Sequence, residues 1–520
     1  MFAFWRAKHA LCNVNALPGY VCNCYLGHQV GNQPTTALAF DLGATSGRAI
    51  LGTLLNGQLS IQEIHRFRNH PVETPRGLRW NTRALREAME EGLCKAGEHT
   101  ARLDSIGVDT WGVDYALLDQ NGRLLGEPYA YRDPRTDGVM DPLVNKIGKQ
   151  RLYQATGIQF MQINTLYQLH ATTLQEPALI ADAALFLTMP DLLNYWLTGV
   201  AACEYTNATT TQMLDCRKRC WSSIIEDAGI PWQILPPIVP PGTVLGPLVE
   251  DFRKIGSHLE TTRVIAPACH DTGSAVAAVR ASVSTAFISS GTWSLLGTEF
   301  EEPIRTSEAM NLNFTNEGGV NGTVRLLKNI TGMWLLEGCM RDWSKQGQTL
   351  TYADIVTAAR GAGAFRCFID PDNPRFLHPE CMTAAITAYC DSTDQSVPQS
   401  PGEFARAILE SLALKYRVVL CQLQSLTGTR FTDIRVIGGG SDNDLLNEFT
   451  ANATGCRVIA GPKEATALGN LIVQFAGAGA IASIDRGRDL ISQSFKPRVF
   501  LPQEDWSAAY TTFHNQICRP

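Results

Sequence analysis

One motif written twice constrains this chain more than any other feature. In the first copy, between Ala37 and Gly52, an apolar run ends in Asp41. A turn of Gly43, Ala44, Thr45, Ser46 and Gly47 follows, and apolar residues resume after Arg48. In the second copy, between Thr285 and Thr298, Ser289 stands where Asp41 stood, and Ser290-Gly291-Thr292 makes the turn. Both read as strand, small hydroxyl-bearing turn, strand. Two similar units so far apart predict a duplicated α/β domain rather than a short-period solenoid. A chain of 520 residues also exceeds what one hydrophobic core organises.

The remaining elements extend that plan. Strands over 36–55 lead to an Asn56-Gly57 turn and a third strand over 58–68. A helix over 81–99 follows, with Asn81 as its N-cap. Ser105 to Tyr115 reads as one strand with a polar end, 142–235 as mostly helical, and 263–268 as a strand. His270-Asp271-Thr272-Gly273 opens an Ala/Val-rich helix. Later, Ile434 to Ile437 runs into Gly438-Gly439-Gly440 and a helix over 443–454; a strand at 458–460 and a helix at 464–477 complete the pattern. The implied organisation has an N-terminal extension over 1–35, poorly ordered and outside the fold. Domains over 36–280 and 281–500 face each other across a cleft with a hinge near 277–283, and 501–520 form a C-terminal tail. Ligands of such sheets bind where strand ends open into turns.

Charge and composition exclude several classes. The balance of 44 basic and 50 acidic residues, net −6, argues against a nucleic-acid footprint, though not against a phosphorylated ligand. No apolar run reaches the roughly 20 residues of a membrane span. Met1 to Thr35 lacks the apolar core and cleavage site of a signal peptide. The 15 cysteines are scattered, and the closest pairs, Cys22/Cys24 and Cys216/Cys220, read as reduced, packed thiols rather than a disulfide framework or a zinc site. The expectation is a cytoplasmic protein, monomeric or weakly oligomeric, that meets neither nucleic acid nor membrane.

The paired turns carry the chemistry. Their glycines let a ligand approach the backbone, Thr45, Ser46 and Thr292 supply hydroxyls, and turn N–H groups form anion-binding concavities. Taken alone, the first turn reads as a structural hairpin rather than a ligand site. With its second copy and the later triple glycine, it reads as half of a polyphosphate grip. Asp41 suits a hydrated Mg²⁺ rather than phosphate, and Arg48 suits a transferring phosphoryl group. A P-loop and the dinucleotide fingerprint are both absent from the sequence. Asp271 is either a helix N-cap or the group that accepts the proton of an alcohol, with His270 and Thr272 hydrogen-bonding the same substrate. Trp111-Gly112 is either core or a sugar-facing platform, and Asn329 either a loop residue or a polyol contact.

These residues resemble the FGGY family of sugar kinases. The resemblance rests on Phe40-Asp41-Leu42-Gly43-Ala44-Thr45-Ser46-Gly47-Arg48, on Ile437-Gly438-Gly439-Gly440 and on the two-domain layout, and it covers about residue 36 to the C-terminus. It implies two actin-like, ribonuclease-H-like α/β domains with a cleft between them. Longer strings, among them Asp109-Thr110-Trp111-Gly112-Val113-Asp114, Cys269-His270-Asp271-Thr272 and Asn316-Glu317-Gly318-Gly319, are similar to family members that phosphorylate L-rhamnulose at its 1-hydroxyl in rhamnose breakdown. The resemblance implies ATP contacts at Ala44, Thr45, Ser46, Gly47, Arg48, Thr292 and Gly439. It implies ketose contacts at Gly112, His270, Asp271, Thr272 and Asn329, with Asp271 as proton acceptor and Mg²⁺ accompanying ATP. Glu337 departs from the family pattern, standing where a glutamine is expected near the nucleotide. Rival readings are the same chemistry on L-fuculose, L-ribulose or D-xylulose, and an actin-like ATPase without a small acceptor.

Overall fold

The computed structural model describes residues 33–280, 282–377 and 379–517. The expected extension over 1–35 therefore falls almost wholly outside the described residues. The first half is built on a six-stranded sheet of β1 (Thr35–Leu42), β2 (Ser46–Leu55), β3 (Gln58–Arg68), β4 (Ser105–Thr110), β5 (Val244–Pro247) and β6 (Arg263–Ile265), in the order β5-β6-β4-β1-β2-β3. The second half holds seven strands: β7 (Thr285–Ser290), β8 (Trp293–Phe300), β9 (Thr315–Gly318), β10 (Val324–Thr331), β11 (Asp433–Ile437), β12 (Arg457–Ala460) and β13 (Arg498–Phe500). Their order is β9-β10-β8-β7-β11-β12-β13.

The repeated motif is the centre of both sheets. In each, a hairpin strand lies antiparallel to its partner, which lies antiparallel to a third. On its other side the same hairpin strand runs parallel to a strand delivered by a crossover, and that strand runs parallel to another. The Asn56-Gly57 turn takes positive φ at both residues, the left-handed pair that a two-residue hairpin demands.

β1 shows why the halves are joined as they are. Its large residues Leu38, Phe40 and Leu42 pack on one face with Leu85, Met89 and Leu93 of α1 (Thr82–His99). Its small residues Ala37 and Ala39 face the other way, against Leu468 and Leu471 of α7 (Ala465–Gly477). Alternation by strand period thus leaves thin side chains where a helix from the second half comes close. That helix also crosses α3 (Asp271–Ala277) at near backbone contact: a Cβ on Gly469 would lie 1.7 Å from the Ser274 carbonyl oxygen.

Three expectations change in detail. Ser105 to Tyr115 is not one strand; β4 ends at Thr110, and a turn through Val113, at φ 67°, leads to a separate strand at Tyr115–Leu118. The span 142–235 is mostly helical but includes short strands such as Leu185–Thr188, which pairs with Tyr115–Leu118. The segment read as a C-terminal tail carries α8 (Ser507–Ile517), and its Phe513, together with Trp506, is buried in the core of the second half. Trp506 sits 4.8 Å from Phe365 and 4.9 Å from Phe449, so the segment closes that core. Among the described residues no helix is long and apolar enough to cross a membrane.

Candidate active site

The C-terminal ends of β1, β4, β7 and β11 and the first turn of α3 open onto one cleft of about 310 Å³. Gly43, Ala44 and Thr45 line it from the first half, and Ser290, Gly291 and Thr292 from the second. The first turn is braced from behind by Asn69, whose amide donates to the Gly43 carbonyl at 2.8 Å and whose backbone N–H donates to the Thr45 carbonyl at 3.1 Å. In the second, the Gly332 and Trp334 N–H groups donate to the Thr292 carbonyl at 3.1 and 3.2 Å.

Not every residue expected at the phosphate grip reaches the cleft. Ser46, Gly47 and Arg48 begin β2 and are not among its lining residues. A Cβ on Gly47 would strike the Phe67 ring at 2.2 Å, so that glycine admits a neighbouring side chain. Arg48 pairs across the strand with Asp41, and its guanidinium is held between the Asp41 and Glu464 carboxylates. Both carboxylates are protein partners, which occupy the fork that phosphate would need.

The triple glycine divides its work three ways. Gly438 takes φ 82°, a conformation that favours glycine. A Cβ on Gly440 would lie 2.0 Å from Ser290 Oγ, so that position is a packing contact between β7 and the turn after β11. Gly439 has nothing within 4 Å of its absent Cβ and lines the cleft.

His270, Asp271 and Thr272 line the same cleft. His270, not Asp271, is the N-cap residue of α3; Asp271 lies in the first turn, and its Oδ1 accepts from the Thr272 hydroxyl at 3.1 Å. Its side chain remains 34% exposed, enough to meet a ligand. Gly112, Trp111 and Asn329 line the same cleft. Trp111 is buried, with its ring 4.2 Å from that of Trp80, and both indole N–H groups donate to Asp114, at 2.9 and 2.6 Å. Asn329 donates to Gln159 Oε1 at 2.7 Å, a contact between the halves. Glu337 does not line the cleft; it lies on α4 (Trp334–Lys345), where burial raises its carboxyl above the usual range against the pull of Arg341 and Arg132.

Acidic groups crowd the end of the first sheet. Asp41 and Asp109 are register partners on β1 and β4. Burial raises Asp41 even beside Arg48, and the charges of Asp271 and Glu464 raise it further. Burial, then the charges of Asp41 and Asp271, raises Asp109, whose Oδ1 is buried with no hydrogen-bond partner. Such an excess of carboxylate oxygens fits a nearby cation. Among the described residues, no three His, Cys, Asp or Glu side chains converge to hold one directly. The donor set therefore suits an ion kept in its water shell, as Mg²⁺ prefers.

The same architecture is found in known proteins. Residues 36–277 match the N-terminal domain model of the FGGY family of carbohydrate kinases, and residues 286–478 match its C-terminal domain model. The chain belongs to the FGGY family of carbohydrate kinases. Within that family, it is 45% identical over 483 residues to a rhamnulokinase of Bacteroides thetaiotaomicron, which covers 92% of this chain and 99% of the relative. A rhamnulokinase of Oceanobacillus iheyensis is 43% identical, covering 88% and 96%. Among solved structures, a ligand-bound xylulose kinase of Lactobacillus acidophilus superposes with a TM-score of 0.77 at 16% identity, over 93% of this chain and 97% of that one. A Plasmodium falciparum glycerol kinase with ADP gives 0.74 at 15% identity, over 93% and 97%. At those identities the two structures speak for the fold alone, that of an FGGY kinase: two actin-like halves around a cleft.

Sequence reasoning passed over Gln159, Glu317, Thr315 and Thr210, all of which line the cleft. Glu317 lay inside a quoted string but carried no role. Gln159 had no signal at all, because it enters from a loop whose position depends on the helical insert.

Proposed function

We propose that this FGGY kinase transfers the γ-phosphoryl group of ATP to the 1-hydroxyl of L-rhamnulose, giving L-rhamnulose 1-phosphate and ADP in the cytoplasmic breakdown of rhamnose. The observation that carries this reading is the presence of Asp271 in the same cleft as both hydroxyl-bearing turns. The rhamnulokinase relatives favour L-rhamnulose over the other ketoses.

In this reading Ala44, Thr45, Thr292 and Gly439 bind the nucleotide, with the adenine near the triple glycine, and Gly112, His270, Thr272 and Asn329 orient the ketose. Asp271 takes the 1-hydroxyl proton as oxygen bonds to the γ-phosphorus. The bond from that phosphorus to the bridging oxygen breaks, and ADP departs with the electron pair. Turn N–H groups hold the charge on the transferring group, and closure of the halves excludes water. Mg²⁺ accompanying ATP would neutralise charge on its phosphates. Asp41 and Asp109 would hold the ion through its water shell, and Arg48 fixes Asp41 instead of touching phosphate.

The test is ADP release with L-rhamnulose against L-fuculose, with and without Mg²⁺. L-rhamnulose should give the higher kcat/KM, and metal removal should abolish turnover. Asp271→Asn should fold normally and lose about 10²–10⁴-fold in kcat. ATP hydrolysis indifferent to every sugar would instead identify an actin-like ATPase.

A further inference from the structure

A buried ion pair of the second half, whose glutamate lines the cleft, reaches the sugar-facing histidine of the first. Glu317 on β9 and Arg325 on β10 are direct cross-strand partners, with Arg325 Nη2 3.2 Å from Glu317 Oε2. Arg325 is fully buried, and its Nε donates to the Gly318 carbonyl at 2.9 Å. The same Nη2 lies 3.1 Å from His270 Nδ1. The other ring nitrogen, Nε2, lies 3.4 Å from Asp271 Oδ1. Arg325 Nη1 is buried with no hydrogen-bond partner. An ion pair that leaves a guanidinium nitrogen so placed is poor construction for stability alone, since apolar residues of similar size commonly do as well.

A guanidinium has only N–H groups to offer, so the ring nitrogen it meets must accept. The neutral imidazole then carries its proton on Nε2, facing Asp271. We propose that Arg325 is a positioning residue that fixes this tautomer of His270 and so turns the Nε2–H toward the Asp271 carboxylate. This rests on the reading of Asp271 as proton acceptor. Oδ1 of Asp271, already engaged by Thr272, is also the oxygen that the imidazole Nε2 faces at 3.4 Å, which leaves Oδ2 for the substrate proton. Because Arg325 and His270 belong to different halves, the base is set in place only when the two halves are engaged.

Glu317 is the competitor. Its Oε2 lies 3.4 Å from His270 Nδ1 and would draw a proton to that nitrogen if Arg325 were absent. Nε2 would then present a lone pair to Asp271. The other charged groups around the histidine and its neighbour are Glu204, whose Oε2 accepts from the Cys269 N–H at 2.9 Å, and Asp41 and Asp109 beside Asp271. These three are acidic, and the nearby Arg48 is taken up by Asp41 and Glu464, so Arg325, in contact with the ring itself, is the cation that decides which ring nitrogen keeps the proton.

The test is ¹⁵N NMR of the full-length protein labelled at histidine, with His270 assigned by loss of its signal in His270→Gln, alongside pH–rate profiles. The wild type should show His270 with its proton on Nε2. Arg325→Met should move the proton to Nδ1. Because that variant leaves Glu317 buried without its partner, the neutral pair Glu317→Gln/Arg325→Met is measured with it. Both should lower kcat about 10–100-fold, by analogy with loss of the hydrogen-bond partner of a metal-bound imidazole, with KM for ATP unchanged. The acid limb of kcat should move to higher pH, because the proton-accepting form of the base loses a donor. A wild-type proton on Nδ1, or a double variant with wild-type kcat and pH profile, overturns the proposal. A wild type that turns over no L-rhamnulose overturns the functional reading instead, and the imidazole measurement still decides the tautomer.

Discussion

Gly439 and Gly440 are adjacent and identical in sequence, yet they do different things. One faces the cleft with open space where a Cβ would be, and the other packs against Ser290. Gly439→Ala should therefore leave the unfolding midpoint unchanged while raising KM for ATP, because the added methyl enters the nucleotide's space. Gly440→Ala should lose about 1–3 kcal/mol of stability from overpacking against Ser290, read by thermal or denaturant unfolding. A Gly440→Ala variant as stable as wild type would show that the turn relaxes freely. The need for glycine is legible in the chain; the purpose of each one is not, because it depends on what lies opposite. Arg48 teaches the same lesson. Its place after the turn suggests phosphate, but Glu464, more than four hundred residues away in sequence, takes half of its guanidinium.

At the scale of elements, most of the plan was legible because it is carried by local pattern: the hairpins, the Asn56-Gly57 turn and the helix capped by Asn81, whose Oδ1 accepts from the Ala84 N–H at 3.0 Å. Short strands inside the helical insert were not, since two to four residues hold no period. The burial of Trp506 and Phe513 was missed because a lone amphipathic helix at the end of a chain does not announce its partner. The crossing of α3 and α7 gives a sharper test. Gly469→Ala would force the helices apart at Ser274 and should cost at least about 1–3 kcal/mol. Since the first turn of α3 carries Asp271, kcat should fall too. Asn81→Ala should cost about 1 kcal/mol through loss of a cap and leave kcat unchanged, because α1 lies on the far face of the sheet.

For the whole molecule, the buried acids set the response to pH. Burial pushes Asp114 up to about 6, and Asp191 and Glu204 up to about 7. Each is raised above its unfolded value, so the folded state binds more protons across the interval between. Stability from these groups is greatest when they are protonated and is lost as pH rises through their folded values. His65, lowered by burial, acts in the opposite sense, but the raised carboxylates outnumber it. The thermal midpoint should therefore be higher at about pH 6 than at about pH 8. A midpoint that climbs with pH over that range would show that these carboxylates are ionised without penalty.

α7 belongs by sequence to the second half, yet its polar side chains complete the first. Asn470 donates to Asp109 Oδ2 at 2.6 Å, and Gln474 donates to the Leu38 carbonyl at 3.1 Å and accepts from the Ser105 hydroxyl at 2.8 Å. Neither lobe is thus a free-standing unit. A polypeptide stopped before residue 281 would bare these groups to water along with the thin alanine face of β1, and two co-expressed fragments would have to dock this helix against the first to assemble.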